Sequence, residues 1–262
     1  MCGIIGYVWN RSVAPLLLAG LANLEYRGYD SAGIAVLDSD NRIQMRKSAG
    51  KIKNLVDLID SDMPEGVVGI AHTRWATHGV PNNLNSHPHL DCSQSVAVVH
   101  NGIVENYQEL RESLLKQGHR FSSETDSEVI AHLIEKNMQS GLSFVDAIRE
   151  SALQLVGASA VVAMSVDEPD VIATFRLGNA GGITIGYSNE GMLVASDLPA
   201  VLPSTNRVVF LGPGELARID RKGALYSSLG GDPVVHKITK ISLGTEAATK
   251  GKYEHFMLKE IM

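Results

Sequence analysis

The sequence predicts an α+β fold in which helices pack outside antiparallel sheets. Three observations lead there: strands and helices do not alternate regularly, the helical periodicity is concentrated before residue 155, and the later half reads as short strands divided by turns. The chain has 262 residues, 44% of them apolar, enough for a substantial core in one large domain or two small ones. No internal repeat is evident.

Residues 4–8 are apolar and rich in β-branched side chains, so they are expected to form a strand that carries the N-terminus into the core. Ser12 is the expected N-cap of a helix whose apolar face is Val13, Leu16, Leu17, Leu21 and Leu24, ending near Tyr26. Residues 34–37, 67–72 and 96–100 read as buried strands, each running into a polar turn that carries glycine. A helix is expected over 106–117. Thr125 and Glu128 form a predicted capping box ahead of Val129, Ile130, Leu133, Ile134 and Met138. A third helix spans 143–155, and strands follow at 159–166, 171–175, 183–187, 192–195, 208–211 and 216–219. From about residue 223 the pattern weakens, and 230–252 is polar and glycine-containing, as a linker is. Tyr253, Phe256, Met257 and Ile261 then restore a helical spacing without a capping signal, so residues 223–262 are expected to be a linker and the entry to a further domain, with 1–222 as the functional domain.

Composition excludes several classes of function. Lys and Arg number 23 against 29 Asp and Glu, a formal charge of -6, and no basic stripe is available to neutralise phosphates, so nucleic acid is not an expected partner. The longest apolar stretches fall far short of the ~20 residues a membrane helix needs, and the N-terminus lacks a basic region followed by an apolar one. A cytoplasmic protein is expected, and its two cysteines imply no disulfide framework.

Cys2 follows the initiator Met, and its small side chain permits removal of Met1. One residue then carries both a thiol and a free α-amine, and an amine that titrates near ~7.7 to 8.0 can take the thiol proton and return it to a leaving group. By itself, a cysteine in an N-terminal strand is more often a small apolar core residue. Its company changes that reading: LEYRGYDSAG at 24–33, AHTRWATHG at 71–79, NSHPH at 85–89, VVHNGIVEN at 98–106 and ETDSEVIAHL at 124–133 follow MCGIIG in order.

This ordered set resembles the class II glutamine amidotransferases, and is most similar to the glutaminase half of the glucosamine-6-phosphate synthase family. The resemblance runs from Cys2 to about Ile219, and KGKYEHFMLKEI looks like the entry to that family's sugar-isomerase half. It implies a four-layer αββα sandwich of the N-terminal-nucleophile hydrolase type. The implied reaction is hydrolysis of glutamine through a γ-glutamyl thioester on Cys2, with the ammonia passed in the full-length protein to fructose 6-phosphate. Asn101 and Gly102 are then the oxyanion donors, whereas an isolated Asn-Gly reads as a type I′ hairpin turn.

Selective binding of glutamine also calls for a fixed cation and a fixed anion. Arg74 suits the α-carboxylate because its planar fork can donate two hydrogen bonds, and Asp126 suits the α-ammonium, although an acid there also simply favours a helix start. Thr77 and His78 are expected to add polar contacts, Trp75 to belong to the loop that covers bound glutamine, and Arg27 and Asp30 to support the nucleophile from beneath.

No cofactor is expected. His72, His78, His87 and His89 match none of the usual metal-ligand spacings, so no metal is expected among them, and Cys92 reads as incidental. The segment after Arg176, LGNAGGITIG, departs from the family pattern of serine or asparagine before proline. Its glycines widen the conformations open to that turn and to the adjoining wall of the glutamine pocket. The full-length protein is expected to be a homo-oligomer. Rival readings are a sister amidotransferase of purine synthesis, a silent glutamine-sensing module, and an N-terminal-nucleophile hydrolase of another amide.

Overall fold

The computed structural model describes residues 2–242; the helical spacing at Tyr253, Phe256, Met257 and Ile261 lies outside the described residues. The first half of the chain runs β1 (Gly3–Val8), α1 (Ala14–Leu24), β2 (Ser31–Leu37), β3 (Ile43–Ala49), α2 (Ile52–Ile59), β4 (Val68–Arg74), β5 (His89–Leu90), β6 (Val96–Gly102), α3 (Tyr107–Lys116) and α4 (Glu128–Gln139). The second half runs α5 (Phe144–Gln154), β7 (Ser159–Ser165), β8 (Ile172–Leu177), β9 (Thr184–Tyr187), β10 (Met192–Ala195), α6 (Leu198–Val201), β11 (Arg207–Phe210), β12 (Glu215–Asp220), β13 (Gly223–Ser228), β14 (Pro233–Val234) and β15 (Thr239–Lys240).

Two sheets stack face to face. One has the order β15-β11-β9-β10-β1-β4-β2-β3, the other β14-β13-β12-β8-β7-β6-β5, and neighbouring strands pair antiparallel. The period-2 alternation of each central strand builds the layers. On β1, Ile4 and Val8 enter the apolar layer between the sheets, whereas Ile5 and Tyr7 pack with Leu17 and Leu21 of α1. On β7, Val162 and Met164 face the other sheet while Val161 and Ala163 meet Val129, Leu133 and Phe144 of α4 and α5. Helices α1, α2 and α6 cover one sheet and α3, α4 and α5 the other, giving the expected four-layer αββα sandwich. Each Leu, Ile or Phe fully buried in these layers contributes roughly 1.5–3 kcal/mol relative to exposure.

The strands and helices expected from sequence form within three residues of their predicted limits, the strand expected at 34–37 starting at Ser31, but two caps differ. The N-cap of α1 is Val13 without a side-chain cap, not Ser12. Pro15 in the first turn lacks an N–H to satisfy, and Val13 donates its own N–H to the Gly66 carbonyl at 2.9 Å, so a hydroxyl cap is dispensable. The Thr125–Glu128 capping box does not form. Glu128 instead accepts the N–H groups of Ser122 and Ser123, each at 2.7 Å, while the Thr125 hydroxyl meets His89 Nε2 at 3.0 Å. Tertiary partners thus outcompete the local motif. The α5 start does carry a side-chain cap: Ser143 accepts the Asp146 N–H at 3.2 Å. Ser143→Ala is expected to cost about 1 kcal/mol, read as a lowered urea midpoint with an unchanged slope.

Seven elements, β3, α2, β5, α6, β13, β14 and β15, were not legible. β3 is half-exposed along its length, and α2 is short, with only Ile52, Leu55 and Ile59 buried. Beyond residue 222, β13 and β15 are edge-proximal strands with mixed side chains, which is why the segment reads as a linker. β13 pairs along its whole length with β12 and β15 pairs with β11, so the sheet layers extend past residue 222 to Lys240. Among the described residues no helix is long and apolar enough to cross a membrane.

Candidate active site

The site lies where β1, β4 and β6 bring their polar ends together at one edge of the inter-sheet layer. Residues of equal parity share a face, so Cys2 follows Ile4, and His72 and Arg74 continue the row of Val68 and Ile70. A cavity of about 430 Å³ opens there, and Cys2, Arg74, Trp75, Thr77, Asn101, Gly102 and Asp126 all line it.

The nucleophile candidate is held at its backbone and its sulfur. Its carbonyl accepts hydrogen bonds from Arg27 Nε at 3.1 Å and Asn101 Nδ2 at 3.0 Å, and its Sγ accepts the Trp75 N–H at 3.1 Å. Burial pushes the Cys2 thiol up, and the Trp75 backbone contact, Arg74 and Arg27 oppose that shift. Burial therefore works against the reactive thiolate, which a base that takes the thiol proton would offset.

Asn101 is oriented by His72, one of four histidines that the sequence reading preferred as hydrogen-bonded or substrate-facing over metal-binding, without giving it a partner. His72 Nε2 lies 3.1 Å from both the His100 carbonyl and Asn101 Oδ1. Both partners are acceptors, so Nε2 carries the proton, Asn101 Oδ1 points at His72, and Nδ2 is directed at Cys2. One of its two N–H bonds holds the Cys2 carbonyl, leaving the second for another acceptor. The clue in sequence was parity, since His72 and Arg74 share a strand face. Gly102 has φ +136°, and a Cβ there would stand 2.1 Å from the Ala158 carbonyl, so only glycine fits.

Arg74 is buried at the end of β4. Its Nη2 donates to the His78 carbonyl, while Nη1 is buried and has no hydrogen-bond partner among the described residues. The expected two-pronged fork is therefore half engaged by the protein itself. Burial lowers the Arg74 pKa, and Cys2, Asp126 and Asp30 act against that. Asp126 is buried too, with Oδ2 accepting the Val104 N–H at 2.8 Å and Oδ1 3.9 Å from His78 Nδ1. A lone cation with a spare donor and a buried carboxylate in one cavity match the two ends of an amino acid.

The loop 75–79 is tied from below. Asp30 accepts the Ala76 N–H at 2.8 Å and donates its own N–H to the Arg74 carbonyl, and Arg27 Nη1 pairs with Asp197 at 2.5 Å. Gly28 is needed for this approach, since a Cβ there would lie 2.7 Å from the Arg74 carbonyl carbon. Trp75 is exposed, its ring 5.7 Å from that of Tyr29, and Thr77 is exposed while lining the cavity. His78 is half-buried, with its ring 5.6 Å from that of Tyr107. Asn179 and Ala180, within the departing turn 178–182, form part of the wall, and Gly178 and Gly181 take φ of +54° and +107°.

Burial drives His72 down to about 3, with Arg74 and His100 adding to the shift and the Asn101 contact opposing it. Burial also takes His100 to about 4 against the pull of Asp126. Both are neutral in the fold but take protons near ~6.5 when unfolded. The unfolded state therefore binds more protons, so stability is full above pH ~6.5 and falls as pH drops toward about 4 for His100 and about 3 for His72. Each contributes about 1 kcal/mol per pH unit in that window. The urea midpoint is expected to fall measurably between pH 7.5 and 5; a constant midpoint would show these rings to be accessible to protons.

Residues 72–203 match the family described as the glutamine amidotransferase domain. Fold, site and match define the class, and the chain belongs to the glutamine amidotransferase domain family. Over its full length it is 47% identical to the glutamine–fructose-6-phosphate aminotransferase (isomerizing) of Pyrococcus horikoshii and 45% identical to that of Thermococcus kodakarensis, spanning 43% of each relative. The structure is also similar to the glutamine phosphoribosylpyrophosphate amidotransferase of B. subtilis, with a TM-score of 0.75 at 27% identity over 88% of this chain and 50% of that one.

Proposed function

We propose that this chain is the glutaminase half of a glutamine–fructose-6-phosphate aminotransferase, with Cys2 as nucleophile. The observation that carries the assignment is the shared cavity of Cys2, the buried and half-free Arg74 guanidinium, and the buried Asp126 carboxylate. In this reading Arg74 Nη1 binds the glutamine α-carboxylate and Asp126 the α-ammonium, which places the side-chain amide at the thiol.

After removal of Met1, the α-amine of Cys2 accepts the thiol proton while sulfur attacks the amide carbon. The oxyanion is stabilised by the spare Asn101 N–H and the Gly102 N–H. The amine returns the proton to the departing ammonia, leaving the γ-glutamyl thioester, and water then releases glutamate by the same proton path. His72 positions Asn101, and Arg27 and Asp30 hold Cys2 and the 75–79 loop. Thr77 and His78 contribute polar contacts to glutamine, and Trp75 covers it.

Because the chain spans less than half of its relatives, fructose 6-phosphate, its amination to glucosamine 6-phosphate and the homo-oligomer belong to the longer protein, which we place in the cytoplasm. Incubation with a glutamine-like electrophile tests the assignment: Cys2 is expected to be the labelled residue, with excess glutamine protecting it. Labelling elsewhere, or none, would displace Cys2 from its role. A simple alkyl amide is expected to be a poor substrate, since it lacks both groups that Arg74 and Asp126 engage.

A further inference from the structure

On the outer side of the second sheet, three segments distant in sequence converge. The turn between β5 and β6 carries Cys92, the loop after α3 carries His119, and α4 carries His132 and Glu135 one turn apart. One ligand atom from each lies within 4.8 Å of the other three. The sulfur is 3.5 Å from His132 Nδ1 and 3.8 Å from His119 Nδ1, and Glu135 Oε2 is 3.5 Å and 2.8 Å from the same two nitrogens.

A tetrahedral ion with a sulfur bond of about 2.3 Å and nitrogen or oxygen bonds of about 2.0–2.1 Å requires edges of roughly 3.3–3.6 Å. Three of the four measured edges fall within about 0.3 Å of that range. The fourth, 2.8 Å between His119 and Glu135, is a hydrogen bond that would open by about 0.5 Å.

The surroundings support the same reading. His119, His132 and Glu135 are buried, and Cys92 is exposed, giving an ion a way in. His132 Nε2 is buried without a hydrogen-bond partner among the described residues, 3.7 Å from Glu128 Oε1. Ligation through Nδ1 places the proton on Nε2, facing that carboxylate, as ligating histidines commonly require. Backbone N–H groups orient the other donors: Arg120 N to the Cys92 sulfur at 3.2 Å, and Ser93 N to Glu135 Oε1 at 3.1 Å.

We propose that Cys92, His119, His132 and Glu135 form a closed tetrahedral zinc site, separate from the glutamine cavity, that pins the Cys92 turn and the α3–α4 loop to α4. A thiolate, a carboxylate and two neutral imidazoles balance the charge of Zn²⁺, and binding releases the Cys92 proton to solvent. Since α4 starts directly after Asp126 and Ser127, the ion would also steady the segment that presents Asp126.

The test uses the full chain as a Cys2→Ala variant stripped with chelator, so that Cys92 is the sole thiol. Titration with zinc chloride is expected to show one equivalent per chain and a raised melting temperature, and cobalt(II) to give a thiolate charge-transfer band. Adding Cys92→Ser should abolish the band and weaken zinc binding at least tenfold. His119→Gln, checked for folding by circular dichroism, is the second variant and should weaken zinc likewise. No zinc uptake, or affinity unchanged by both substitutions, overturns the proposal.

Discussion

A Cys2→Ala protein is expected to release no ammonia from glutamine above the rate without enzyme, while still binding glutamine. In the proposed mechanism the Cys2 sulfur is the bond-forming atom, and removing a nucleophile eliminates the covalent route that splits a difficult hydrolysis into two easier steps. Binding should survive because Arg74 and Asp126 are held by β4 and by the Val104 N–H, not by the sulfur. Calorimetric titration should therefore give a saturable isotherm in a protein with no turnover. Ammonia release within tenfold of the unsubstituted enzyme would exclude Cys2 as nucleophile. Material that retains Met1 should be silent as well, since its Cys2 nitrogen is an amide and cannot take the thiol proton. Intact mass should show every active preparation without Met1.

Asn101→Ala is expected to lower turnover by about 10²- to 10³-fold, the usual cost of deleting one oxyanion donor. The substitution also frees the Cys2 carbonyl from its 3.0 Å hydrogen bond, leaving Arg27 as its remaining side-chain anchor among those described. Asn101→Asp keeps the shape but replaces both N–H donors with a negative charge beside the oxyanion, so a loss at least as large there would assign the effect to electrostatics and hydrogen-bond donation and not to packing. The loss should fall on kcat, with KM for glutamine little changed, because in the proposed pose Arg74 and Asp126 supply ground-state binding. A near-normal rate would move the oxyanion role to other groups.

The readable parts of the molecule were those where local pattern and tertiary demand agree. β1, β4 and β6 are apolar runs that end in polar motifs, and each is a strand whose polar end reaches the cavity. Cys2, Arg74, Asn101, Gly102 and Asp126 were picked out by chemistry joined to ordered motifs, and all five line one cavity. The misread parts are those in which a distant partner prevails. Glu128 fits a capping box by spacing, yet its carboxylate closes the 122–123 loop. The fork of Arg74 looked fully available in sequence, but one arm is spent on the His78 carbonyl. Cys92 looked incidental because 26 residues separate it from His119 and 12 more separate His119 from His132.

From sequence alone, the α+β class and the candidate set Cys2, Arg74, Asn101, Gly102 and Asp126 were accessible, because period-2 alternation and short motifs are local properties of a chain; the four-layer αββα order came with the family resemblance. Tertiary structure alone decided the direction of the Asn101 amide, the neutral state of His72 and the convergence of Cys92 with His119, His132 and Glu135. Hydrogen-bond direction, proton affinity and ligand geometry depend on which atoms come within about 4 Å after burial, and no spacing along the chain encodes that.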